Sequence, residues 1–103
     1  MENKEFNFSE WAEQCNTWKK KYPVCLPEYK QIKGELNSYV FVDTLCKHSK
    51  ENDIFVADAG GTFFATSQAI QLTKSGQRYI PSSGMATMGF TLPAAIGISV
   101  ATN

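Results

Sequence analysis

Ile54-Phe55-Val56-Ala57 is the stretch that most narrows what this chain can fold into. It is short and wholly apolar, it contains β-branched residues, and a turn-forming Glu51-Asn52-Asp53 precedes it. A strand with one wet face alternates apolar with polar side chains. An unbroken apolar run of this length suits a strand covered on both faces, as in a parallel sheet. Parallel neighbours cannot be joined by a tight turn, so crossover helices are required on either side.

The flanking sequence provides them. Asn7 with Glu10 fits a capping box, and Trp11, Cys15 and Trp18 follow at i, i+4, i+7, which predicts a helix over 9–21 that stops before Pro23. The two tryptophans share one face and read as core anchors that need something large to lie against. Tyr22 to Gly34, with Pro23 and Pro27, reads as an extended connector. Asn37 is a candidate N-cap for a helix over 38–49, with Val40, Phe41, Thr44, Leu45 and Lys47 along a partial stripe. A further helix over 63–74 is expected after the strand. Arg78-Tyr79-Ile80 reads as a second strand ended by Pro81, and a last helix over 91–102 carries Pro93 in its first turn. Helices alternating with strands define an α/β chain with neighbouring parallel strands.

Composition removes several function classes. The chain has 103 residues, 43% apolar and 19% charged, as for an ordinary globular domain. Its net charge is zero, and Lys19-Lys20-Lys21 is its single basic run, placed where cations suit a helix end. This argues against nucleic acid or an anionic membrane as partner. Cys15, Cys25 and Cys46 have no metal-binding or disulfide-scaffold spacing and read as reduced thiols. His48 stands among Lys47, Ser49 and Lys50 with no ligand partner near it in sequence. The opening residues lack a secretory apolar core, and no stretch approaches the ~20 apolar residues of a membrane span, so the expected location is the cytoplasm.

Ligands of open α/β sheets bind beyond the carboxyl ends of the strands. Two segments leave such ends. In Ala59-Gly60-Gly61-Thr62, adjacent glycines allow close backbone approach to a ligand, and the following helix start suits a phosphate; a plain tight turn is the competing reading. No dinucleotide fingerprint is present. The second segment, Ser82 to Phe90, sets Met85 and Met88 among small residues ahead of a helix rich in Ala94, Ala95, Gly97, Ser99 and Ala101. Methionines in a loop either fill core gaps or line a pocket.

The string G-M-A-T-M-G-F-T-L-P-A-A-I-G (residues 84–97) resembles the G-x-G-x-M-G-x-x-L-P-A-A-I-G stretch of acetolactate synthase and its thiamine-diphosphate-dependent relatives. D-A-G-G-T (58–62) falls where that family has its diphosphate-contacting loop, and W-x-x-x-x-x-x-W-K-x-x-Y-P (11–23) is similar to the helix opening the family's third domain. The resemblance implies a three-layer sandwich with a parallel sheet, incomplete in this chain: residues 1–35 as opening helix and connector, 36–103 as cofactor-binding core. It also implies site roles. Gly60, Gly61 and Thr62 match positions at the diphosphate, although the family's usual polar side chains are missing there. Gly84, Ala86, Thr87 and Met88 match the pyrimidine-binding loop. Ala86 would offer its carbonyl to the 4′-amino group where the family commonly has glycine, in a loop needing positive φ. Met88 would donate its backbone N–H to the ring and wedge the cofactor into a bent shape.

The resemblance further implies magnesium, a 2-keto acid substrate and a homo-oligomer. The family's G-D-G metal motif would follow Asn103, and its activating acidic residue belongs to another domain supplied by a partner subunit. On that reading the chain is a fragment, with no catalytic residue or metal ligand of its own. A non-catalytic or regulatory relative, and a generic α/β phosphate-binding module, are the alternative readings.

Overall fold

The computed structural model describes residues 7–102. Residues 1–6, read as lacking a secretory core, and Asn103, the end of the expected domain, lie outside them. Four α-helices and two strands follow in the order α1 (Ser9–Lys21), α2 (Ser38–His48), β1 (Ile54–Ala57), α3 (Gly60–Ala69), β2 (Arg78–Pro81) and α4 (Thr91–Thr102).

β1 and β2 pair in parallel, with Ile54 opposite Arg78, Phe55 opposite Tyr79, Val56 opposite Ile80 and Ala57 opposite Pro81. The expected α/β class and strand pairing are therefore present, with α3 as the crossover. Pro81 closes its strand, where a missing N–H does least harm.

α2 begins where the sequence signals it. The Asn37 side chain accepts the backbone N–H groups of Tyr39 at 2.9 Å and Val40 at 3.4 Å, satisfying two donors that no helical carbonyl can reach. Its buried face differs from the expected stripe. Val42 and Cys46, one turn apart, are buried with Ala69 of α3, while Phe41 and Leu45 are exposed. Tyr39 and Ile70 pack against this cluster. The small Val and Cys side chains let α2 approach the alanines of α3 closely, and the larger residues are turned outward.

α3 corrects the expectation of 63–74: it starts at Gly60 and ends at Ala69. Gly60 takes φ +64° and enters the helix directly, so Gly60, Gly61 and Thr62 are its first turn and not a loop before it. At the other end Ile70 turns extended to reach the core, and Gln71 donates its N–H to the Cys46 sulfur at 3.4 Å, ending the helical ladder. The connector holds a short 3-10 turn, Pro27–Gln31, tied to α2 by stacked Tyr29 and Tyr39 rings and by Lys30 to Asp43 at 3.1 Å. Asn7 accepts the Ser9 N–H at 3.0 Å, but the helix cap itself is Phe8.

The tryptophans of α1 are not core anchors among the described residues. They meet edge to face, 5.6 Å apart, yet Trp11 remains 60% exposed and α1 buries no residue. Leu92, Ile96 and Val100 form a second uncovered apolar row along α4. The chain exposes 8436 Å², against roughly 5,800 Å² for a self-contained folded chain of its mass. Its radius of gyration, 17.0 Å, likewise exceeds the roughly 13 Å of a closed domain this long. These faces are uncovered among the described residues.

Candidate functional site at the strand carboxyl ends

Both segments singled out in the sequence lie at the carboxyl ends of β1 and β2, where the parallel pairing brings them side by side. Their junction is built by Asp58 and Ser82, which open the two segments and to which the sequence patterns gave no role of their own. Ser82 follows β2 and donates its N–H to the Ala57 carbonyl at 3.0 Å, extending the ladder by one bond. Its hydroxyl donates to the Asp58 carbonyl at 2.9 Å and accepts the Thr87 N–H at 2.9 Å. The Asp58 carboxylate accepts the Ala59 N–H at 2.7 Å through one oxygen. Through the other it accepts Gly89 N–H at 3.0 Å and Thr91 N–H at 3.4 Å. These donors, the Ala59 N–H above all, hold the Asp58 carboxyl below the usual carboxylate range against the opposing effect of desolvation. Contacts that span so many residues leave no periodic trace in a sequence, which is why Asp58 and Ser82 were not legible.

The segment 83–91 folds tightly under this anchor. Ser83–Met85 is a 3-10 turn, followed by Ala86 at φ 44°, ψ 46°. Ala86 thus adopts the left-handed conformation expected of this loop, with a Cβ that makes it costly. Gly89 sits at φ +84° immediately before α4. Met85 and Met88 are 87% and 86% exposed, so neither is core filler. Gly60, Gly61 and Gly84 have nothing within 4 Å of where a Cβ would stand, leaving open space at the first turn of α3 and at the 83–85 turn.

The two helix starts at this end are not equivalent. The start of α4 already carries the Asp58 carboxylate, which offsets its positive dipole end. The first turn of α3 has no side-chain cap, and Thr62 turns its hydroxyl back to the Ala59 carbonyl at 2.9 Å. Its first N–H groups have no intrahelical partner. The same carboxylate also accepts the N–H of Ala59, the residue before α3, so it flanks both starts.

Beside the site runs a groove of about 670 Å³ between α2, β1 and α3, lined by Phe41, Leu45 and Phe55 and reaching Asp58, Thr62 and Thr91. Met88 stands outside that lining. Among the described residues no group of three or more His, Cys, Asp or Glu side chains is placed to hold a metal ion, and no helix is long and apolar enough to cross a membrane.

Residues 58–103 match the family described as thiamine pyrophosphate enzyme, C-terminal TPP binding domain. Over this segment, which carries both candidate sites, the chain is similar to the thiamine-diphosphate-dependent enzymes. Within that class it resembles acetolactate synthase. It is 32% identical over 95 residues to the acetolactate synthase large subunit of Buchnera aphidicola subsp. Schizaphis graminum, covering 92% of this chain and 16% of that protein. It is 30% identical over 93 residues to the acetolactate synthase isozyme 1 large subunit of Escherichia coli K12, with 90% and 16% covered. It is also 30% identical over 96 residues to the mitochondrial acetolactate synthase catalytic subunit of Aspergillus candidus, with 90% and 14% covered. The chain spans about one sixth of the length of these relatives.

Proposed function

We propose that residues 36–103 supply thiamine diphosphate binding in an enzyme that acts on 2-keto acids by acetolactate-synthase-like decarboxylation and carboligation, with residues 1–35 as opening helix and connector. One observation supports this best: an exposed Met88 on a turn fastened beside the uncapped first turn of α3, at the ends of two parallel strands.

In this reading the N–H groups of Gly60 and Gly61 and the Thr62 turn hold the diphosphate. Gly84 and Thr87 shape the pyrimidine loop, the Ala86 carbonyl receives the 4′-amino group, and Met88 supports the ring by its side chain and its N–H. The bound cofactor supplies the carbanion-stabilising chemistry, while these residues bind and orient it. Open space over Gly60, Gly61 and Gly84 and the left-handed Ala86 fit such a ligand. Magnesium, which the resemblance implies, finds no ligand set among the described residues. Homo-oligomerisation and a cytoplasmic location belong to the same proposal.

A thermal-shift comparison tests it. Millimolar thiamine diphosphate should raise the melting temperature of the chain more than equal ADP does, because a ligand that binds the folded state stabilises it by mass action. An equal shift by ADP would favour a generic phosphate-binding module. Micromolar affinity from these residues alone would contradict the need for ligands from other segments.

A further inference from the structure

We propose that Asp58 and Ser82 form a clamp that positions the main chain of Met88, with the Asp58 carboxylate as its principal positioning residue. The clamp stands on geometry, and only its purpose rests on the cofactor reading above. An apolar side chain that is 86% exposed contributes little to the fold, and exposed loop tips are ordinarily the mobile parts of a chain. The residues on either side of Met88 are instead both fastened. Thr87 N–H is held by the Ser82 hydroxyl and Gly89 N–H by the Asp58 carboxylate, at 2.9 and 3.0 Å. Ser82 is bonded in turn to Asp58 and Ala57, so the Met88 main chain is referenced to the end of β1 from both directions.

A carboxylate is the group this task needs. One oxygen serves Ala59 while the other serves Gly89 and Thr91, and the charge favours the start of α4. An asparagine has one acceptor oxygen and can satisfy one of these sets only. If Asp58 merely closed its own turn, its bonds would end at Ala59. They extend to partners 31 and 33 residues away.

The test is amide hydrogen exchange and backbone NMR on the 103-residue chain and its Asp58→Ala, Asp58→Asn and Ser82→Ala variants. In Asp58→Ala, protection of the Gly89 and Thr91 amides should fall about tenfold or more, and the Met88 resonances should move toward random-coil positions. The amides of Cys46 and Val56 should keep their protection. Ser82→Ala should release Thr87, and Asp58→Asn should give an intermediate loss. In the unaltered chain the Gly89 amide shift should follow the Asp58 ionisation below the usual carboxylate range. Unchanged protection of Gly89 and Thr91 in Asp58→Ala overturns the clamp. If that variant fails to fold, a Gly89 shift indifferent to acid overturns it instead. Adding millimolar thiamine diphosphate separates the two readings: released Gly89 with a Met88 that ignores the cofactor leaves the clamp standing and removes the cofactor assignment.

Discussion

The hydroxyl of Ser82 donates to the main-chain carbonyl of Asp58 across 2.9 Å, joining the exits of two parallel strands. The same oxygen accepts the Thr87 N–H, so one small side chain closes two gaps. Ser82→Ala should destabilise the chain by about 1–2 kcal/mol, since it leaves a half-buried carbonyl and an N–H without partners. Urea denaturation measures this, and an unchanged midpoint would show that water replaces the hydroxyl at no cost.

Ala86 holds a conformation that suits glycine. Ala86→Gly should stabilise the chain by about 1 kcal/mol, because the removal of left-handed strain exceeds the added freedom of the unfolded state. The same change elsewhere would destabilise, so the sign alone is diagnostic in a thermal melt.

Acid should weaken the fold through two aspartates. Asp58 is held low by its backbone donors, and Asp43 by Lys47 first and Lys30 after it. A carboxyl whose pKa is depressed in the folded state contributes stability fully above its unfolded value of about 3.9. That contribution is lost as pH falls toward and through the lower folded value. Asp58→Asn and Asp43→Asn should each flatten the loss of stability between about pH 5 and pH 2, followed by urea midpoints across that window.

Core and site substitutions should part company. Val42→Ala removes buried volume at the α2–α3 contact and should cost about 1–3 kcal/mol. Met88→Ala, at an exposed position, should change stability by less than about 0.5 kcal/mol. In a complete enzyme carrying this segment, Met88→Ala should instead lower turnover, because the bent cofactor geometry loses its support. A large stability loss with unchanged turnover would show that Met88 is packing material.

How much of this was legible in the sequence depended on distance along the chain. The Asn37 cap, the β1 run and the α4 start are local signals, and each lies where its residues indicated. The Gly60-Gly61 pair misled at short range, since glycines that usually break helices here begin one. On α2, side-chain size misled: Phe41 and Leu45 looked like the buried stripe, but the close approach of α3 selected Val42 and Cys46. The Trp11–Trp18 face, read as a core anchor, is uncovered among the described residues, because helical spacing marks a shared face and says nothing of what lies against it. The two segments marked by glycines and methionines do lie at the strand carboxyl ends, as their place after each apolar run indicated. The Asp58 and Ser82 contacts that hold the loops in place were not legible, because their partners lie too far off in sequence for any periodicity to record.

In the proposed function the first turn of α3 and the 84–88 loop form one thiamine diphosphate site. The most direct measurement is an NMR titration of the chain with millimolar thiamine diphosphate, and with inorganic diphosphate alongside. Both ligands should shift the amides of Gly60, Gly61 and Thr62, and thiamine diphosphate alone should also shift Ala86, Thr87 and Met88. Identical shifts from both ligands, or none at Met88 with either, would contradict it.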